Sequence, residues 1–252
     1  MGFSIDRIKG NAKQHYDCNK WNNVLVFLAT WVLSYAASMI LSTVVGAITG
    51  AGSVASALPA MLEGDSDSVA ELAAASAGAL ASMISSLASL ALSIFFTNVL
   101  SMGSMTWYHK AINEQGLGVG RIFDGFTSNY MSNVAALALK TLFIGLWSLL
   151  FVIPGIVKTY AYFGVEYIKA ECPDMPASKT LDLSNRMTNG HKMDLFLLDL
   201  SFIGWFLLAG ITCYILGVVY VFPYYNAAKA FAYEEIKADA IASGRVSAEE
   251  FI

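Results

Sequence analysis

The chain has 252 residues, of which 56% are apolar and only 13% charged, with a mean hydropathy of +0.57 and a formal net charge of −4. An ordinary soluble domain carries about one-quarter charged residues, so this composition argues against a water-soluble fold. A soluble protein built around one large buried-helix core is the alternative; it is disfavoured because apolar runs here reach the ~20 residues of a bilayer crossing.

Residues 1–22 interleave Ile5, Ile8, Ala12 and Tyr16 with Arg7, Lys9, Lys13 and Lys20. This i, i+3, i+4 spacing predicts an amphipathic helix lying on a membrane surface. A first helical hairpin is expected over 23–110. Its opening apolar run, Val24 to Ile48, exceeds the about 7–15 residues of a signal sequence's apolar region, so it is expected to remain as a span, with Trp21 and Trp31 at its inner end.

Within that run Thr30, Ser34, Ser38, Ser42, Gly46 and Gly50 recur at every fourth position, and Ser85, Ser89, Ser93, Thr97 and Ser101 do the same further on. Such stripes predict that the first two spans pack through small-residue faces; a polar path for water is the alternative. Between them, residues 51–71 are rich in Gly, Ser and Ala and carry Glu63, Asp65, Asp67 and Glu71 without a Lys or Arg, which reads as an extracytoplasmic loop. The run Val69 to Lys110 would be about 60 Å long as one helix against a core of about 30 Å, so it must protrude, tilt or break.

Residues 111–133 form a connector. Gly116, Gly118 and Gly120 follow a helix rather than a strand and read as a turn, not a dinucleotide-binding fingerprint. Ile122, Phe123, Phe126 and Tyr130 suggest a short interfacial helix. A four-helix membrane core is expected over 134–237, with a cytoplasmic tail at 238–252. In it, the uncharged stretch Thr141 to Val157 is interrupted by Pro154-Gly155, which predicts a hairpin turn because Pro removes a helical donor and Gly permits a sharp bend. The spans are expected at Val134 to Ile153, from Pro154 to about Ala170, at Leu195 to Ala209, and from Tyr214 to about Tyr233, with a second turn at Pro223. Between the middle two, Asp174 and Pro176 begin a surface helix that Gly190 ends.

The expected architecture is thus an all-α, polytopic membrane bundle of about six transmembrane helices with short interfacial helices. Six crossings put Arg7, Lys9, Lys13, Lys20, Lys110, Arg121, Lys169, Lys179, Arg186, Lys192, Lys237 and Arg245 on one side, and the positive-inside rule then places both termini in the cytoplasm of a plasma-membrane protein.

The charges left inside or near spans are Lys140, Lys158, Lys229, Glu166 and Asp199. Counting about 1.5 Å per residue, Lys140, Glu166, Asp199 and Lys229 lie at similar depth on four different helices. They are expected to form an intramembrane polar network, with Asn226, Tyr162 and Tyr225 as hydrogen-bond partners; fixing helix packing and serving a substrate or proton are both open roles. Lys158 stands apart. Cys18, Cys172 and Cys213 show no disulfide or metal pattern, and His15, His109 and His191 no metal-ligand spacing. No catalytic, cofactor or metal constellation is read, although a metal site assembled in three dimensions stays open.

Several of these residues carry a resemblance. Pro154-Gly155-Ile156 with Lys158 and Tyr160, Ser184 followed by Gly190-His191-Lys192, the run LDLSFIGW from Leu198 to Trp205, and Pro223-Tyr224-Tyr225-Asn226-Ala227-Ala228 with Tyr233-Glu234 resemble the bacterial integral membrane family catalogued as domain of unknown function nine-seven-five. The resemblance extends from about Phe123 to Glu235. It implies a polytopic membrane protein and brings no activity, ligand or catalytic residue with it; Lys140 lies outside its pattern.

Two non-enzymatic classes follow. One is a transporter-like or accessory protein that binds an amphiphile, a peptide or a membrane partner, suggested by two Pro-interrupted hairpins that could be a repeat. The other is a structural or immunity-type protein acting through helix contacts. An intramembrane enzyme is disfavoured because HExxH, GxSxG and paired intramembrane Asp motifs are absent from the sequence. Lipid is the expected surrounding, and nothing points to nucleic acid.

Overall fold

The computed structural model describes residues 3–63, 67–114, 116–127 and 129–251, with side chains throughout except at 48–75 and 77. The fold is all-α, and no strand occurs among the described residues. Among the described residues, four helices are long and apolar enough to cross a membrane: Lys20–Ala47, Gly78–Asn113, Tyr130–Leu150 and Lys192–Ile211. The chain divides into two compact units, residues 1–31 with 98–252, and residues 32–97.

Residues 32–97 belong to α2 (Lys20–Glu63), α3 (Asp67–Leu92) and a π-helical segment, Ser93–Thr97. The backbone is therefore helical through most of 51–71, where a loop was expected, because Ala and Ser sustain a helix despite the glycines. The acidic side chains expected to face solvent there, like Gly50, lie outside the described side chains. Ser38, Ser42, Gly46, Ser85 and Ser89 are exposed, while Ser34, Ser93 and Thr97 are half-buried. Exposure at the first five positions runs against a tight small-residue interface there. Instead, the Ser38 hydroxyl donates to Ser34 O at 2.9 Å and Ser42 to Met39 O at 2.9 Å, so each serine is satisfied by its own helix. The long second apolar run does break its regular geometry, at Ser93–Thr97.

In the other unit, α4 (Asn98–Asn113) is the buried centre, contributing Leu100, Met102, Trp107 and Tyr108 to the core. A 3₁₀ turn at Val119–Phe123 lies against it so closely that a Cβ at Gly103 would fall inside the backbone of Ile122. A one-turn helix, α5 (Asp124–Thr127), leads to α6 (Tyr130–Leu150).

The turn after α6 is made by Phe151, whose extended backbone (φ −155°, ψ 141°) ends one helix and starts α7 (Val152–Ala161). Pro154 sits in the first turn of α7, where a missing N–H costs nothing. Gly155 is needed for a different reason than the bend expected of it: a Cβ there would lie 2.8 Å from Ser148 Cα of α6. Its lack of a side chain lets the two helices touch.

The expected fourth span is broken. α7 ends at Ala161, and α8 (Val165–Glu171) begins after the turn at Tyr162–Gly164. The groups freed by the break are satisfied from α9 (Ala177–Met187): Gly164 N–H donates to Ser184 Oγ at 3.1 Å, and Ser184 and Thr188 hydroxyls donate to Ala161 O at 3.0 and 3.2 Å. α9 is capped by Pro176 rather than Asp174, which is bonded to Asn129. In α8, Lys169 is wholly buried, and its ammonium donates to Ser132 Oγ, Pro173 O and Met175 O at 2.7, 2.6 and 2.9 Å.

α10 (Lys192–Leu200) and α11 (Ile203–Ile211) follow. The reversal after α11 lies at Cys213 and Tyr214, both left-handed (φ 50° and 63°), and not at Pro223. Pro223 occupies the first turn of α12 (Phe222–Ala242), which continues from a second π-helical segment at Gly217–Val221. Finally, α1 (Ile5–Cys18) buries Ile8, Ala12 and Tyr16 against α12 rather than resting that face on lipid. The Tyr16 hydroxyl donates to Val219 O in the π segment at 2.5 Å, Ser4 N–H donates to Glu235 at 3.1 Å, and Arg7 pairs with Glu235.

Candidate functional site

The charges embedded in the apolar helices come together as two contacting pairs. Lys140 on α6 reaches Glu166 on α8, Nζ to Oε1, at 2.5 Å. Lys229 on α12 lies 3.8 Å from Asp199 on α10. Together the two pairs set two cations against two anions from four helices, a charge-balanced quartet.

Local folding explains each position. The break at Tyr162–Gly164 reorients α8 so that Val165, Glu166 and Tyr167 all turn into the core. Asp199 stands near the end of α10, facing two tyrosines: Tyr160 donates to Oδ2 at 3.0 Å and Tyr225 to Oδ1 at 2.8 Å. The Lys229 ammonium also lies over the Tyr225 ring, 4.7 Å from its centroid, and over Phe163 at 5.8 Å. An aromatic face offers a cation partial compensation where water is scarce.

Two expected partners stand elsewhere. Asn226 stands near Tyr108, and no hydrogen bond from it to the quartet occurs among the described residues. Tyr162 lies beside Phe143, its ring tilted 47° to it, and under Lys158, and the role given to it falls to Tyr160, two residues earlier. Lys158 covers the Trp147 and Tyr162 rings at 5.3 and 5.6 Å. Tyr160 enters the sequence reading only through the resemblance, and nothing in the sequence pairs it with Asp199, 39 residues later.

The four acceptor sites are not used equally. Asp199 has both oxygens occupied, whereas Glu166 Oε2 is buried and has no hydrogen-bond partner among the described residues. A carboxylate oxygen left in this state costs about 1–3 kcal/mol unless something donates to it.

A family model now bears on these residues. Residues 149–240 match the family described as a protein of unknown function, DUF975. Glu166, Asp199, Lys229, Tyr160 and Tyr225 lie in the matched stretch, and Lys140 lies before it. Ser184, which ties the helix break, and Phe151, which makes the α6–α7 turn, also lie within the matched stretch. No curated protein and no solved structure matches the chain.

Proposed function

We propose that this is a non-enzymatic, multi-pass protein of the plasma membrane that binds an amphiphile or peptide at the Lys140–Glu166–Asp199–Lys229 quartet. The observation that carries this reading is the open oxygen of Glu166, a buried acceptor beside a Lys140 contact and a fully bonded Asp199. Because two cations and two anions already balance, a ligand adding net charge would be penalised in a low-dielectric interior. A neutral O–H or N–H donor fits: a hydroxyl of an amphiphile's head or a peptide amide.

In this reading six crossings bring both ends to the cytoplasm. The broken α7–α8 pair and the segment from Gly217 into α12 supply the two crossings beyond the four long apolar helices. The reading is supported by the contact of Ser4 and Arg7 with Glu235, since an even number of crossings returns the chain's end to the side of its start. Reporter fusions at residue 1 and residue 252 are expected to give the same cytoplasmic signal; opposite signals would remove the six-span arrangement.

The ligand reading is tested by purifying wild type and Glu166→Gln in mild detergent, extracting bound molecules and weighing them by mass spectrometry. A stoichiometric hydroxyl- or amide-bearing molecule on wild type, depleted in a folded Glu166→Gln variant, is the expected outcome. A structural or immunity-type role has its own support, the saturation of Asp199 by two tyrosines and a lysine. Empty wild-type protein with a stoichiometric membrane-protein partner would favour that second reading.

A further inference from the structure

A second convergence of ionisable side chains lies apart from the quartet. His109 near the end of α4, Glu171 at the end of α8 and Glu234 on α12 bring one nitrogen and two carboxylate oxygens within 4.8 Å of one another. His109 is buried, with Nε2 2.5 Å from Glu234 Oε1 and 3.6 Å from Glu171 Oε1. We propose that these three side chains form a binding site for a first-row divalent cation of the zinc type, clamping α4, α8 and α12 together.

The donor set suits such an ion. Imidazole nitrogen and carboxylate oxygen bind zinc at about 2.0–2.2 Å, and two ligands of a tetrahedral ion at that radius stand about 3.3 Å apart. The 3.6 Å separation already meets this, and the 2.5 Å one needs an opening of less than an ångström, with the ion replacing the hydrogen now shared there.

Neighbouring groups provide the outer support that metal ligands require. The Tyr233 hydroxyl donates to Glu171 Oε2 at 3.1 Å, and Lys237 donates to both Glu171 oxygens at 2.7 Å. When Oε1 turns to the ion, Lys237 and Tyr233 still hold Oε2, the usual arrangement of a ligating carboxylate. The rings of Tyr167 and Tyr233 stand edge-on to His109, with centroids 5.8 and 5.2 Å away, and fix its plane. Two carboxylates and one ammonium leave a net charge of −1 when His109 is neutral, which favours a dication.

A surface groove of about 530 Å³ runs along Arg7, Asn11 and Phe231 to Glu234, the most exposed of the three ligands. His191 offers a useful contrast: its two ring nitrogens face different carboxylates, Asp194 at 2.8 Å and Asp239 at 2.9 Å, so those groups do not converge on one point.

The test uses full-length protein in detergent, stripped with chelator and titrated with Zn²⁺, with Mg²⁺ as a control and elemental analysis for stoichiometry. One Zn²⁺ per chain, a higher melting temperature with Zn²⁺, and at least a tenfold loss of affinity in both His109→Gln and Glu234→Gln are expected. Cys18→Ser/Cys213→Ser is expected to bind as wild type. The proposal is overturned if wild type shows no saturable Zn²⁺ binding, if both ligand variants bind normally, or if the cysteine variant alone loses the ion. If either ligand variant fails to fold, zinc protection of His109 from diethyl pyrocarbonate in wild type decides: unchanged modification overturns the site.

Discussion

Asp199 accepts from Tyr160 and Tyr225 and faces Lys229, so each neighbour depends on its charge. Replacing it with Ala strands two hydroxyls and an ammonium; a loss of about 1–3 kcal/mol is expected, read as a lower midpoint for unfolding in mixed micelles, with Asp199→Asn milder because the amide oxygen still accepts. At the tail, Arg186 holds Glu250 at 2.5 Å and pulls its carboxyl down to about 2. The folded value lies below the unfolded one, about 4.3, so the contribution is complete above that pH and disappears as pH falls toward about 2. Amide exchange over Ala248–Phe251, corrected for intrinsic rates, should accelerate across this window in wild type, and Glu250→Gln should flatten the dependence.

Among the elements, the α6–α7 hairpin and the α7–α8 break make distinct demands. Gly155→Ala presses a methyl into the Ser148 backbone and should cost about 1–3 kcal/mol, measured as a lower thermal midpoint; Ser148→Ala is not expected to rescue it, because the clash includes Cα. Ser184→Ala leaves the Gly164 N–H without its acceptor and should cost a similar about 1–3 kcal/mol. Pro154-Gly155 pointed to the hairpin in the sequence, but the bend itself lies at Phe151, and Gly155 serves the contact with α6. The break at Tyr162 carried no such signal, since the compensating hydroxyl comes from Ser184, twenty residues later. The reversal at Cys213-Tyr214 was hidden for a different reason: two ordinary, exposed residues adopt the left-handed region, closed by short-range bonds from Cys213 N–H to Gly210 O and Tyr214 N–H to Ala209 O, while Pro223 drew attention although a helix tolerates Pro in its first turn.

At the scale of the whole chain, the apolar runs announced a membrane-type helical protein because hydropathy over ~20 residues is a strong signal. The quartet was also legible, through depth counting along separate helices. The burial of α1 was not: an amphipathic face looks the same whether lipid or α12 covers it. The contact of α1 with α12 ties the beginning of the chain to its end. Arg7→Glu should lower the melting temperature slightly, by no more than about 1 kcal/mol in stability because Arg7 is partly exposed, and adding Glu235→Arg should recover part of the loss.

The sealed ammonium of Lys169 offers a built-in reporter. With three oxygens filling its three N–H bonds and no surface reaching water, it should escape acylation by amine-directed reagents for as long as the fold stays closed, while Lys13 and Lys179 on the exterior react at once. Peptide mapping of the mass tag at this one position would then time how often the bundle opens.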